Sequence, residues 1–278
     1  MRDALRSFRS HGAAVAGAIV LGAFVLAVVF GPMLLPYGPN EIDLPAADSP
    51  PSLAHPFGTD DLGRDQLTRI LVGGRLTLAT AAVAVLVAIV LGIVVGLAAG
   101  YVGRWLDNVL MRGVDVFYSV PSLFVVILLV ALIGPGFWTI VIAIAAFSWM
   151  NTARIVRATT LSLKHQEYVE AARSIGSSHV RIAVRSILPN VLPPVIVTAT
   201  LGIALAILTE SALSFLGLGF QPPLSTWGGM LQESQRAVVL QGQWWRGLFP
   251  GLMIFLCVLS ANFVGDGFRH ALDPRRTR

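Results

Sequence analysis

Two stretches of this chain, residues 76–103 and 116–153, carry no charged side chain. Runs of that length and character are committed to helices that cross a bilayer, where every backbone amide must find its partner within its own segment. The second run is too long for one crossing. Gly134-Pro135-Gly136 divides it, which predicts two spans of about 18 residues each, near the lower limit for crossing. Composition agrees: 55% of the 278 residues are hydrophobic, 13% are charged, and the mean hydropathy is +0.74. These are values of a polytopic membrane protein rather than of soluble domains. The net charge of +5 would suggest a nucleic-acid partner only if the basic residues clustered on a soluble face, and they stand instead at the ends of apolar segments.

Residues 1–12 form a tail with Arg2, Arg6 and Arg9, and residues 13–35 follow as a first span. A signal peptide competes for this stretch, but its apolar core is typically about 7 to 15 residues long and this one reaches the length of a crossing, so it reads as a retained span. In the loop 36–75, Glu41, Asp43, Asp48, Asp60, Asp61 and Asp65 outnumber Arg64, Arg69 and Arg75. Asp60 and Asp61 are expected to cap a short helix starting near Leu62. Residues 76–103 are the second span, with Gly92, Gly96 and Gly100 on one face as a packing device for a neighbouring helix. Arg104, Asp107, Arg112 and Asp115 read as a polar turn, and Pro121 as a bend inside the third span. The fifth span, 191–213, opens on Pro193 and Pro194 and carries Thr198, Thr200, Thr209, Glu210 and Ser211. Glu210 has two readings, a functional intramembrane carboxylate or a paired glutamate at the span end. Trp227, Trp244 and Trp245 suit the membrane interface. Residues 247–265 are the sixth span, Cys257 within it reads as an inert buried thiol, and Arg269, Arg275, Arg276 and Arg278 close the chain. With the amino terminus inside, fifteen basic residues fall on the inner side and five on the outer. The excess predicts that both termini and residues 166–190 face the cytoplasm.

Those residues are a polar island. Tyr168, Ala171, Ala172 and Ile175 fall at helical spacing, and Gly176 stands where a left-handed C-cap belongs. Ser177 or Ser178 can cap a second helix, along which Val180, Ala183, Val184, Ile187 and Leu188 recur, and Pro189 is expected to end it. Arg173, Arg181 and Arg185 ring the pair with positive charge. On pattern alone the island is either an amphipathic connector at the headgroups or a face, built on two small alanines, that another protein approaches closely.

Chemistry narrows the function. Nineteen of the 20 basic residues are arginine, and the single lysine, Lys164, lies between Leu163 and His165. It cannot belong to a P-loop, so no nucleotide-hydrolysing loop is encoded. His11, His55, His165, His179 and His270 lie in polar connectors, and no span holds an H-E-x-x-H or G-x-S-x-G, which argues against a membrane-embedded enzyme. A self-contained secondary transporter would rest on Glu210 alone, without a visible internal repeat.

The island resembles the cytoplasmic signature loop of ABC-importer permeases, roughly E-A-A-x3-G-x9-I-x-L-P. Glu170, Ala171, Ala172, Gly176, Leu188 and Pro189 match in register, whereas Ser186 stands where the pattern has Ile, with Ile187 one place later. HPFGTDDLGRDQLTRILVGGR (55–75) and TESALSFLGLGFQPPLSTWGGML (209–231) resemble C-type permeases of the dipeptide, oligopeptide and nickel importer family. The resemblance implies an all-α membrane protein with the type I ABC importer permease fold. It implies six transmembrane helices, a core at 76–278 and a cytoplasmic coupling loop at 158–190. It implies a homologous permease as heterodimeric partner, two ABC ATPases that hold the ATP and magnesium, and an extracytoplasmic substrate-binding protein. No catalytic or metal site and no nucleic acid is expected. Glu170, Ala171, Ala172, Arg173, Gly176, Leu188 and Pro189 become ATPase-coupling residues, and the pathway is expected along Thr209, Glu210 and Ser211. Dipeptides or short peptides lead as cargo; nickel complexes and glutathione stay open.

Overall fold

The computed structural model describes residues 7–272; Arg2, Arg6, Arg275, Arg276 and Arg278, assigned above to the tails, lie outside them. Among the described residues the regular elements are all helical, beside one isolated β-bridge between Thr59 and Asp65. The chain runs through α1 (Gly12–Phe30), α2 (Gln66–Val102), α3 (Arg104–Tyr118), α4 (Ser122–Ile133) and α5 (Phe137–Leu163). Then come α6 (Glu167–Ser174), α7 (His179–Arg181), α8 (Leu188–Phe215), α9 (Trp227–Gln241) and α10 (Trp244–Ala271). Among the described residues five helices are long and apolar enough to cross a membrane, or six if one bent pair counts as a crossing.

Helix α2 is the spine. Its 37 residues begin ten positions before the expected start of the second span, because Asp65 is the N-cap: the Thr68 N–H and Oγ1 both donate to Asp65 Oδ2 at 2.8 Å. The charges at its start are matched within the protein. Arg75 donates through Nε to the Val28 carbonyl (2.9 Å) and through Nη2 to that of Val29 (2.6 Å), satisfying the open end of α1. Further along, a Cβ at Gly92 would lie 2.5 Å from Thr152 Cβ, one at Gly96 2.6 Å from the Ala153 carbonyl, and one at Gly100 2.7 Å from Thr160 Cβ. Helices α2 and α5 therefore meet backbone to backbone, at a distance no side chain on that face of α2 would permit.

The third span departs from expectation. Gly134 and Gly136 do separate α4 from α5, but α3 and α4 are bent by 82° across the break at Ser119–Pro121. Pro121 is the N-cap of α4, so it ends one helix and opens another instead of kinking a single one. Arg104, Asp107, Arg112 and Asp115 lie on an amphipathic helix rather than a turn. It is held to α5 by Asp107 with Arg157 and Asp115 with Arg154. Helix α4 has 12 residues, about 18 Å, well short of a bilayer core of about 30 Å.

A second correction concerns the end of the molecule where α2 begins. Asp60 caps no helix; it is fully buried at the centre of an ionic knot. Its Oδ1 accepts from the backbone N–H of Leu62 and Arg64, its Oδ2 from Arg64 Nε at 2.7 Å and from Arg69 Nη1. Arg69 Nη2 reaches Glu233 Oε2 at 2.9 Å and Ser225 Oγ at 3.1 Å, while Arg246 pairs with Asp48 at 3.0 Å and with Asp61 at 3.1 Å. The acidic loop is thus bolted to α9 and α10. Trp227, expected at the interface, is fully buried, and its indole N–H donates to the Ile70 carbonyl at 2.9 Å. Trp245 is also buried, donating to the Thr59 carbonyl at 3.3 Å, and only Trp244 keeps half its surface exposed. The main core gathers around Ala81, Ala84, Ile140, Ile144, Ile207 and Trp227.

Removing one partner of a buried pair strands the other, a loss of about 3 to 5 kcal/mol, whereas an exposed pair contributes about 1 kcal/mol at most. Arg69→Met is expected to lower the thermal unfolding midpoint of the detergent-solubilised protein clearly, and Arg154→Met, whose pair with Asp115 is half exposed, to leave it nearly unchanged. Equal effects would show that the knot does not hold this end together.

Candidate functional site

At the opposite end of α2, residues 166–190 form a bent elbow between α5 and α8. The first arm, α6, closes with a double bond pattern: the Ser177 N–H donates to the Ala172 carbonyl at 3.1 Å and the Gly176 N–H to that of Arg173 at 3.0 Å. Gly176 has φ +78°, the left-handed conformation this closure demands, with open space where a side chain would stand. Ser178 then caps α7, its hydroxyl accepting from the Arg181 N–H at 3.4 Å.

Pro189 does not end the second arm. The chain stays helical from His179 to Phe215, passing through a π-helical segment, Ile182–Ile187, before α8 takes up Pro189 in its first turn, so that the missing N–H falls where the wide π turn gives way to the α-helix. The wide turn also explains the displaced isoleucine. Residues five apart on an α-helix point about 140° away from each other, whereas a turn of i→i+5 bonds brings them to one side. Ile182 and Ile187 are both buried in one cluster with Val156, Val169, Val191 and Val195. This cluster joins the elbow to α5 and α8 and packs against Ile89, Ile93, Leu97 and Tyr101 of α2.

The outer face is the reverse. Glu170, Ala171 and Arg173 are exposed, with Ile175 82% and Val180 73% exposed beside them. Ala172 is half-buried against the cluster, and Leu188 is half-buried with Pro189 exposed beyond it. The Glu170 carboxylate has no hydrogen-bond partner among the described residues; its backbone carbonyl accepts from Ser174 Oγ at 3.0 Å. Positive charge, apolar side chains and two small alanines are therefore presented together on a stiff support.

The second feature is a cavity of about 830 Å³ between α2, α4, α5 and α8, lined also by Arg269 and Leu272 at the end of α10. Its wall is apolar, with Ser122, Ser148, Asn151, Thr198 and Thr209 among its polar groups. Thr209 was expected on a pathway and lines this space. Glu210 and Ser211 do not: both are buried where α8 meets α2 and α9. Ser214 Oγ donates to Glu210 Oε1 at 2.7 Å, while Glu210 Oε2 and Ser211 Oγ lack partners. A Cβ at Gly228 would lie 2.3 Å from the Ser211 carbonyl, so α9 starts in direct contact with this part of α8. Ser148 and Asn151 were missed by sequence reasoning. Their signal was available, since polar residues three apart in an otherwise apolar span mark one helix face.

Residues 88–278 match the family model described as binding-protein-dependent transport system inner membrane component, and residues 1–54 match that of the N-terminal TM domain of oligopeptide transport permease C. The dipeptide transport system permease protein DppC of Bacillus subtilis (strain 168) is 42% identical over 278 residues, covering 100% of this chain and 86% of that protein. The oligopeptide transport system permease protein OppC of the same organism is 40% identical, covering 99% of this chain and 89% of that one. The glutathione transport system permease protein GsiD of Salmonella paratyphi A is 44% identical, covering 99% and 90%. Among solved structures, the methionine ABC transporter MetNI in inward facing conformations superposes with a TM-score of 0.57 at 18% identity, over 72% of this chain and 94% of that chain. That likeness shows the fold.

The cavity and the α8–α9 junction differ in their access to water, which cysteine labelling reads directly. In a Cys257→Ala background, Thr209→Cys and Asn151→Cys are expected to react with a membrane-impermeant thiol reagent at least about tenfold faster than Ser211→Cys, because only an accessible thiolate reacts. Equal rates would remove the distinction between cavity wall and interior.

Proposed function

The chain belongs to the family of binding-protein-dependent transport system inner membrane components, and from that premise we propose that it is the C-type permease of an ATP-driven importer of short peptides. It is a multi-pass inner-membrane protein. In this reading it forms the translocation pathway as a heterodimer with a homologous permease, and receives cargo from an extracytoplasmic binding protein. It is driven by two separate ATPases, which carry the ATP and magnesium. The elbow and both termini face the cytoplasm, as the excess of basic residues on that side suggests. Peptide cargo is supported by relatives named for dipeptides, oligopeptides and glutathione.

The observation that carries the mechanism is the elbow's division into a buried half and an exposed half. Glu170, Ala171, Ala172, Arg173 and Gly176 form the docking arm, in which the alanines permit close approach and the Glu170 carboxylate, unpaired among the described residues, offers a polar bond to the ATPase. Leu188 and Pro189 pass the motion on. Helix α8 runs from this joint to the cavity wall at Thr198 and Thr209, a length of about 33 Å from Leu188 to Thr209, with Pro193 and Pro194 inside it. A push on α6 is therefore carried along α8 to the wall, the kind of change alternating access requires. Thr209 belongs to the pathway, and Glu210 and Ser211 support it from behind.

Gly176 separates coupling from assembly. A β-branched residue at φ +78° is strained by about 1 to 2 kcal/mol or more, although no neighbouring atom obstructs it. Asparagine tolerates that conformation. Gly176→Val is expected to leave the complex assembled and its ATPase running while peptide uptake in proteoliposomes falls severalfold, and Gly176→Asn to retain most uptake. Normal uptake by the valine variant, or failure of a photo-cross-linker at Ala171 to capture an ATP-hydrolysing subunit, overturns the proposal.

A further inference from the structure

We propose that the groove between the end of α2 and the elbow is a binding site for an anionic phospholipid of the inner leaflet. The groove encloses about 470 Å³, and its lining divides by chemistry. One wall is Leu97, Ala98 and Val102, on a membrane-spanning helix, and the facing wall includes Val180 and Ala183. Arg173 and His179, both exposed, form its polar mouth together with Tyr101.

Arg173 has no acidic or carbonyl partner among the described residues, although a planar guanidinium suits two phosphate oxygens at once. His179 Nδ1 lies 3.1 Å from the Tyr101 hydroxyl. Where that hydroxyl donates to Nδ1, Nε2 is left as the donor of an exposed side chain. Two donors at the mouth and an apolar wall continuous with a span match a phosphodiester headgroup and an acyl chain in a single molecule. A free phosphate would use the mouth and leave the wall empty. The local charge points the same way: along residues 164–185 the basic side chains Lys164, Arg173, Arg181 and Arg185 outnumber the carboxylates Glu167 and Glu170, the pattern that attracts anionic lipid. A lipid seated there would touch both α2 and the elbow, so that its presence stiffens the lever's attachment.

The inference rests on the elbow facing the cytoplasmic leaflet, as proposed above. Native mass spectrometry of the purified transporter complex titrated with phosphatidylglycerol, phosphatidylcholine or inorganic phosphate tests it. Phosphatidylglycerol is expected to remain bound at collision energies that strip phosphatidylcholine. The double variant Arg173→Gln/His179→Gln is expected to weaken phosphatidylglycerol about tenfold or more, the effect of losing two charge-assisted contacts. Leu97→Ser/Val102→Ser is expected to weaken it without creating affinity for phosphate. Equal retention of the two lipids, phosphate competing as well as the lipid, or displacement of the lipid by stoichiometric ATPase binding each overturns the site. Loss of lipid selectivity with Gly176→Val still uncoupled would sink the lipid site alone; intact selectivity with Gly176→Val fully active would sink the lever alone.

Discussion

The close approach of α2 and α5 across Gly92, Gly96 and Gly100 decides where the other elements can stand. Lipid gives helices no hydrophobic reason to associate, so their contact depends on the dispersion gained when backbones come near. Each of those glycines faces atoms of α5 at a distance that admits no side chain. Because α5 continues into the elbow and α2 begins at the ionic knot, this one seam fixes both ends of the molecule relative to each other. It also sets the cavity, whose walls include Val85 and Ala88 from one helix and Ile144, Ser148 and Asn151 from the other.

The two ends solve opposite problems. At the start of α2 the chain buries charge: Asp60 and Arg69 are almost without solvent contact and satisfy each other together with Arg64, Glu233 and Ser225. Such a knot is rigid because loosening any member strands a charge in a poorly polar setting. At the far end the charge is left outside and the apolar residues are turned in, with Val169, Ile182 and Ile187 as the hidden joint. One end is thus a stiff frame closed on itself, and the other an exposed face on a packed support. Asp107–Arg157 and Arg154, which pairs with Asp115 and lies 4.2 Å from the centre of the Tyr118 ring, hold the amphipathic α3 beside that handle.

Features written in neighbouring residues were legible. The glycine stripe, the divide at Gly134 and Gly136, the left-handed Gly176 and the Ser178 cap each follow from local rules of spacing and backbone freedom. What was not legible depends on partners far along the chain. Asp60 looks like a capping residue until Arg69 and, through it, Ser225 are brought beside it. Trp227 looks interfacial until Ile70 accepts its indole proton across 157 positions. The true start of α2 was hidden because Arg69 and Arg75 read as polar loop, and only their distant partners make them fit a helix. Thr209 and Glu210 are adjacent in sequence, yet a turn of about 100° between them sends one to the cavity and the other to the interior.

The π-helical stretch Ile182–Ile187 carries one residue more per turn than its neighbours, and that surplus lets Ile187 reach the side that an isoleucine one place earlier would reach by an ordinary turn. The position of the buried side chain across this joint is therefore not dictated by α-helical arithmetic. Two chains of equal length can present the same buried surface with the isoleucine one place apart. Alignments that count letters and alignments that count faces will part company here, and the second kind is the one to follow when carrying a mutation from one relative to another.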